Sequence, residues 1–377
     1  MDNLGLYGRD IHRPVHLFQG LQLFLQGCSL FLWGYFAFYG RSSLYGCGNL
    51  LKMMNFFERG DEVMEAAQLD EIFRPMYQRR LQEVQERKDG FVYYTSAKAG
   101  LQILKEREVW MRAAACMNDY REIHYGIQLL NHAIHSSPER SARLAELGHY
   151  LDWPQDIMSK LLQKLMSDEN YLVTKTFLTC ISEHDAALED EHGRLSMWRA
   201  YGRKTGVAFV LNAKAVLENR HYLPITVSPV QYRAQADFDR DLDLVLAHVA
   251  EHITVLQQAD RKQIMQYFID TILSSVFSIK HPGFREEREW RLIYREDSRK
   301  LAYDLVSIDG VPQLVYKLPL AMERTDAGHG LHALLDHLII GPTQYADVIY
   351  NAFVRALEEL GFEDAAQRVC KSNIPLR

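Results

Sequence analysis

Hydrophobic and polar positions along this 377-residue chain change period repeatedly, and each change marks an element. Residues 54–88 place apolar side chains at helical spacing, with a break expected near Pro75, whose ring does not fit a helix interior. The aromatic and β-branched run FVYYTS (91–96) predicts a strand, AKAGLQILKERE a short helix and VWMRAA a second strand. Residues 118–170 predict helix, interrupted at Ser137-Pro138 and Trp153-Pro154. YLVTKTFLTCIS (171–182) predicts a strand, SMWRAYG a short helix, and GVAFVL (206–211) another strand. Two helices are expected over 237–280. Leu242, Val245, Val249, Ile253 and Leu256 form the stripe of the first, and Ile264, Phe268, Ile272 and Val276 that of the second. EWRLIY (289–294), LVYKLP (314–319) and LIIGPT predict strands, and residues 345–360 an amphipathic helix stopped by Gly361. Strands and helices alternate without an even βαβ rhythm. The fold class is therefore α+β, with mixed or antiparallel sheets flanked by helices.

One stretch fits none of this. From Pro14 to Gly40 there is no Asp, Glu, Lys or Arg. Arg9, Arg13, Arg41 and Lys52 against Asp2 and Asp10 give residues 1–52 a charge of +2, leaving −8 for the remainder of a chain whose total is −6. The apolar run is long enough to span a bilayer, and Gly20, Gly27 and Gly34 recur every seven residues as in packed membrane helices. Against an anchor stand Gln19, Gln22 and Gln26. A secretory signal fits worse, because the segment before the run is near neutral and no small-x-small site follows closely. Three readings stand: an extension dispensable to a chain starting at Met53 or Met54, an inner-membrane anchor over 14–40, or a buried hairpin. The expected organisation is an accessory leader (1–52), a helical segment (53–90) and one α+β domain (91–377).

Composition narrows the class. With 47% apolar and 24% charged residues, the chain is neither disordered, collagenous nor polytopic. Five scattered cysteines without a CxxC pair favour a reducing, cytoplasmic setting. The negative charge gives no strong nucleic-acid signal. GxGxxG, P-loop, HExxH and GxSxG motifs are absent, which removes the main support for dehydrogenase, NTPase, zincin and α/β-hydrolase readings.

Three clusters could carry chemistry. In FREEREWRLIY (284–294), strand periodicity puts Glu287, Glu289, Arg291 and Ile293 on one face and Arg288, Trp290, Leu292 and Tyr294 on the other. Two carboxylates beside a guanidinium suit a wet cleft where a developing cation is stabilised, or else a solvated strand face. SEHDAALEDEHG (182–193) gathers Glu183, His184, Asp185, Glu189, Asp190, Glu191 and His192, but the spacing matches no defined metal site and reads as a solvated loop. Asn118-Asp119, with Glu122 and His124 beyond, resembles a turn or helix cap, and Trp198 with Tyr201 an aromatic pair three residues apart, as in a core.

Taken in order, VYYTSAKAGLQILKEREVWM, MNDYRE, FLTCISE, LSMWRAYGRKTGVAFVL, KHPGFREEREWRLIY, LIIGPT and KSNIPLR resemble the bacterial family of unknown function numbered 2971, over roughly residues 91–377. More remotely, an early Tyr-x-Thr strand, a central aromatic element and a late Glu-x-Glu strand resemble the order of motifs in ADP-ribosyltransferases. That resemblance implies that Tyr93 and Thr95 hold the nicotinamide ribose and amide, although Tyr93 stands where the best-known branch carries a His. It implies that Tyr201 stacks on nicotinamide and that Glu289 or Glu287 stabilises the oxocarbenium-like transition state. Tyr94, Asn118, Asp119, Trp198 and Arg291 complete the expected NAD-binding set. NAD would then be a substrate, the target a macromolecule, and the setting a toxin or phage-defence effector. A non-catalytic sensor using the same cleft and a metal-dependent nuclease or hydrolase using 183–192 are the alternatives.

Overall fold

The computed structural model describes residues 64–87, 90–117, 121–154, 156–202, 204–220, 222–296, 300–320 and 330–375. The leader, with its three readings, lies outside these residues, as do Asn118 and Asp119. Among the described residues no helix is long and apolar enough to cross a membrane.

Helices α1 (Ala66–Phe73) and α2 (Pro75–Arg87) part at Arg74, with Pro75 opening the second, as the sequence predicts. Strand β1 (Gly90–Ser96) runs straight into α3 (Ala97–Glu106), whose N-terminus is capped by the Ser96 hydroxyl accepting from the Ala99 amide. Strand β2 (Glu108–Ala113) follows. Four helices come next: α4 (Arg121–His135), α5 (Pro138–Tyr150), α6 (Ile157–Ser167) and α7 (Glu169–Lys175). Strand β3 (Thr176–His184) is the centre of the sheet. Beyond it lie α8 (Ala186–Glu189), α9 (Leu195–Met197), a π-helical turn (Trp198–Gly202), β4 (Gly206–Leu211) and α10 (Ala213–Asn219). Then come β5 (Thr226–Pro229), β6 (Gln231–Tyr232), α11 (Gln235–Glu251), α12 (Ile253–Leu256), α13 (Arg261–Val276) and β7 (Ile279–Lys280). A 3-10 turn (Pro282–Glu287) leads into β8 (Glu289–Arg295), followed by β9 (Ala302–Ile308), β10 (Val311–Pro319), α14 (Leu331–Leu334), β11 (Leu335–Ile340), α15 (Ala346–Glu359) and β12 (Val369–Lys371).

Ten strands form one open, mostly antiparallel sheet in the order β12-β11-β4-β1-β3-β2-β10-β9, with β8 on β3 and β5 on β8. The β11–β12 pair is parallel, as is the separate β6–β7 pair. The expected α+β class is therefore correct. Helices α1, α4–α6, α11 and α13 pool Phe73, Leu130, Trp153, Leu161, Ile264 and Phe268 in a core that reaches the sheet at Leu178 and Ile293. The other faces of β3 and β8 pack Phe177, Trp290 and Tyr294 against Phe91 and Tyr316. Fully burying side chains of this size stabilises by roughly 1.5–3 kcal/mol each.

Two expectations need correction. Residues 171–175 are helical, not extended: α7 buries Val173 among the helices and leaves Tyr171 exposed, and the strand starts only at Thr176. A short apolar run satisfies either period until its packing partner decides. The stripe through Leu256 is also not one helix. It breaks at His252, between α11 and α12. Strand β9 escapes the sequence reading because it is an outer strand, paired through β10 and largely exposed, so it carries no clear alternation.

Candidate active site

β1 and β2 run in the same direction, joined by the α3 crossover, and both border one edge of β3 without pairing with each other. β1 meets the end of β3, through Gly90–His184, Phe91–Glu183 and Val92–Ser182, and then departs. β2 meets the start of β3, through Arg112–Leu178 and Ala113–Phe177. Among the described residues, Thr179, Cys180 and Ile181 consequently have no strand partner on that edge, while β8 covers the opposite edge from Thr176 to Ser182. The wedge between β1 and β2 opens into a cavity of about 490 Å³. Tyr93, Tyr94 and Thr95 line it from β1, Trp110 and Arg112 from β2, Thr179 and Cys180 from β3, and Tyr201 from the π-helical turn. Glu122, Lys280, Glu287, Glu289 and Arg291 also border it.

These last five side chains form one ionic network. Arg291 donates through Nε to Glu289 at 2.8 Å, through Nη1 to the Phe277 carbonyl at 2.8 Å and through Nη2 to Glu122. Lys280 Nζ lies 2.7 Å from Glu122, 2.7 Å from Glu287 and 3.3 Å from Glu289. Lys280, Glu122, Glu289 and Arg291 are all buried. Burial alone would raise the Glu289 pKa, but the Arg291 guanidinium and the Lys280 ammonium outweigh it and hold the carboxyl at about 2. Glu122 faces the same cations yet is raised, burial being its largest influence. The cluster sets three carboxyl groups against two cations. Burial and then the Glu289 carboxylate push the Cys180 thiol well up, so Cys180 stays protonated beside Glu289. Burial and then the Glu287 charge likewise raise Tyr201.

The structure therefore brings Tyr93, Tyr94, Thr95, Tyr201, Glu287, Glu289 and Arg291 to one cavity. Their settings differ. Burial raises the pKa of the Tyr93 hydroxyl, which neighbours Thr179 of β3 and Thr95 of its own strand. The Tyr94 hydroxyl accepts from the Arg194 amide at 2.8 Å, and its ring packs edge-on against Trp198. Trp198 does not line the cavity. Its Nε1 donates to the His192 carbonyl, and a Cβ at Gly193 or Gly341 would come within 2.8 Å of the ring, so this tryptophan is locked into the core. Tyr201, three residues on, is 36% exposed and faces the cavity.

Strand β8 segregates its faces as its periodicity predicts: Trp290, Leu292 and Tyr294 join one core and Ile293 the other. It is not a solvated face, however, because Glu289 and Arg291 are buried in the ionic network. Glu287 also lies off the strand, in the 3-10 turn before Arg288, which takes a left-handed backbone (φ 45°). Lys280, not strand register, holds it beside Glu289. Lys280, Cys180 and Arg112 are not legible in the sequence as site residues, and Glu122 reads there only as part of a turn or helix-cap cluster. Each sits alone in an otherwise ordinary helix or strand, and its meaning comes from partners more than 50 residues distant, except that Lys280 precedes Glu287 closely.

The 182–193 segment is not a solvated loop either. Glu183, His184 and Glu189 are buried. Glu183 accepts from Arg80 at 2.6 Å and from Trp290 Nε1 at 2.8 Å, tying α2 to the sheet. Glu189 is gripped by both Arg194 Nε and Nη2 at 3.0 Å. The rest of the Arg194 guanidinium donates to the carbonyls of Glu183, Glu286 and Glu287, fastening the turn that carries Glu287.

Residues 197–292 match a family described as "Protein of unknown function (DUF2971)", a stretch that includes Trp198, Tyr201, Glu287, Glu289 and Arg291. No curated protein and no solved structure matches the chain. The family match supports the resemblance read from the sequence over that stretch and names no activity.

Proposed function

We propose that this chain is an ADP-ribosyltransferase-like enzyme that breaks the nicotinamide–ribose bond of NAD in the cavity between β1 and β2 and passes ADP-ribose to a macromolecular acceptor. The observation that carries the reading is that carboxyl groups outnumber cations in the ionic network on the cavity wall, with Glu122, Glu287 and Glu289 against Lys280 and Arg291. As the glycosidic bond breaks, its electron pair leaves with neutral nicotinamide and positive charge builds on the ribose. A fixed, ionised carboxylate in a water-poor site stabilises that charge at the moment it forms. Glu287, with 19% of its side chain exposed, is the carboxylate placed to meet the ribose, and Glu289 holds the cations that fix it. Tyr201 offers a ring for nicotinamide, and Arg112 a guanidinium for the pyrophosphate.

The test is incubation with NAD and a cell lysate, following free nicotinamide and label transfer. Turnover is expected to fall about 10²–10³-fold in Glu287→Gln. Absence of turnover in the wild-type chain, or turnover unchanged in both Glu287→Gln and Glu289→Gln, rejects the reading. One observation favours a second reading, a binding module: both Glu289 oxygens already accept from a cation. A module of that kind is thermally stabilised by NAD without consuming it.

A further inference from the structure

The segment 182–193 and strand β11 meet at the end of β3, where His184, Asp190 and His337 stand apart from the residues that line the cavity. His184, Asp190 and His337 each point one ligand-capable atom at a common locus, all within 4.8 Å of one another. They come from three separate places: the last residue of β3, the loop after α8, and β11. His184 Nε2 lies 2.6 Å from Asp190 Oδ1, and His337 Nε2 lies 3.7 Å from the same oxygen. Donors on a tetrahedral ion with bonds of about 2.0–2.1 Å sit about 3.3 Å apart. The two observed separations bracket that value.

Three further features fit a built site. The His184 side chain is only 1% exposed, and its other nitrogen, Nδ1, makes no hydrogen bond among the described residues but faces Glu189 Oε2 at 3.6 Å. A carboxylate behind a histidine orients the ring and raises its basicity as a ligand. That carboxylate is itself held by the Arg194 fork. Second, the register of β11 against β4 shifts between Leu335 and His337, an irregularity of the kind that re-aims a side chain. Third, the locus is reachable: the Asp190 side chain is 46% and that of His337 23% exposed.

We propose that His184, Asp190 and His337 bind one first-row divalent transition ion of the zinc type, leaving a coordination position open towards solvent. Two imidazoles and one carboxylate suit such an ion rather than magnesium, which prefers all-oxygen, largely hydrated sites. The ion would pin the end of β3, the 185–193 loop and β11 together. The inference is independent of the NAD reading, because it involves none of the cavity's charged residues.

The experiment uses the full chain, stripped of metal and titrated calorimetrically with zinc, with cobalt as a spectroscopic probe and magnesium as a control. One equivalent of zinc is expected, together with a rise in the thermal midpoint and the visible spectrum of tetrahedral cobalt. His184→Ala opens a buried position and is a poor test, so the partly exposed ligands decide. Asp190→Asn and His337→Ala, with unchanged circular dichroism, should each weaken zinc binding at least about 100-fold, the upper end of what losing a mere supporting residue does. His248→Ala, in the surface cluster His248, Glu251 and His252, should leave binding unchanged. No zinc equivalent, equal binding of magnesium, or loss of binding in His248→Ala but not in His337→Ala overturns the proposal.

Discussion

Replacing Lys280 by Met removes an ammonium that touches Glu122, Glu287 and Glu289 together, while keeping a side chain of similar length. The lysine side chain is 3% exposed, so water cannot take over its role. Taking one partner from a buried ion pair costs about 3–5 kcal/mol, because the opposite charge is left uncompensated. The depressed Glu289 pKa gives a second handle on the magnitude. Held at about 2 against an ordinary value near 4.5, it stabilises the fold by on the order of 3 kcal/mol at neutral pH. Because the folded value is the lower one, that stabilisation is complete above about pH 4.5 and disappears as the pH falls towards 2. The Arg291 guanidinium is the larger cause of that depression and Lys280 the next. Lys280→Met forfeits the lysine's share, so the deficit against wild type must be largest at pH 7 and smaller at pH 3. Urea unfolding of both proteins at the two pH values measures this directly. A deficit below about 1 kcal/mol at pH 7, well short of the buried-pair range, or one that grows on acidification, refutes the charge assignment of the network.

Other outcomes follow from single contacts. Gly126→Ala would gain up to about 1 kcal/mol of helix propensity, yet its Cβ would sit 2.6 Å from the Val276 carbonyl oxygen; a net loss of about 1–3 kcal/mol is expected in thermal melts, and stabilisation would contradict the packing of α4 on α13. Arg194→Lys keeps the charge but cannot fork onto Glu189 while reaching the carbonyls of Glu183, Glu286 and Glu287. Nicotinamide release should fall at least about tenfold as Glu287 loses its fixed position, and an unchanged rate would show that the turn does not depend on this clasp. Cys180, its thiol held protonated, should be alkylated at pH 8 more slowly than a small-molecule thiol, as read by mass spectrometry of the labelled peptide. Labelling as fast as the small-molecule thiol would contradict that protonation.

Most elements could be read from local pattern because local pattern is what determines them. FVYYTS, GVAFVL and EWRLIY are rich in β-branched and aromatic residues and become β1, β4 and β8 with bounds shifted by at most a residue or two. Ser137-Pro138 opens α5, and Gly361, at φ +87°, ends the chain's turn out of α15. Tyr93, Thr95, Tyr201, Glu287 and Glu289 could be picked out by their order. Their convergence could not, since it depends on β1 and β2 parting along β3. Trp198 and Tyr201 are alike in sequence, and the π-helical turn separates them into a core residue and a cavity residue. Lys280 carries no local sign and Glu122 only that of a helix cap: an acid early in a helix and a lysine in a two-residue strand acquire their importance through Arg291 and Glu289.

Strand β3 also sets the order in which this protein can be made. Its partners are β1 and β2, already synthesised when it leaves the ribosome, and β8, which begins more than a hundred residues later at Glu289. Until then the Thr176–Ser182 edge stands open, a row of unpaired amides and carbonyls able to recruit another nascent chain. The central pairing is thus long-range and slow to close. A chain truncated before β8 should aggregate rather than fold, and chaperone demand during synthesis should peak between the emergence of residues 184 and 295.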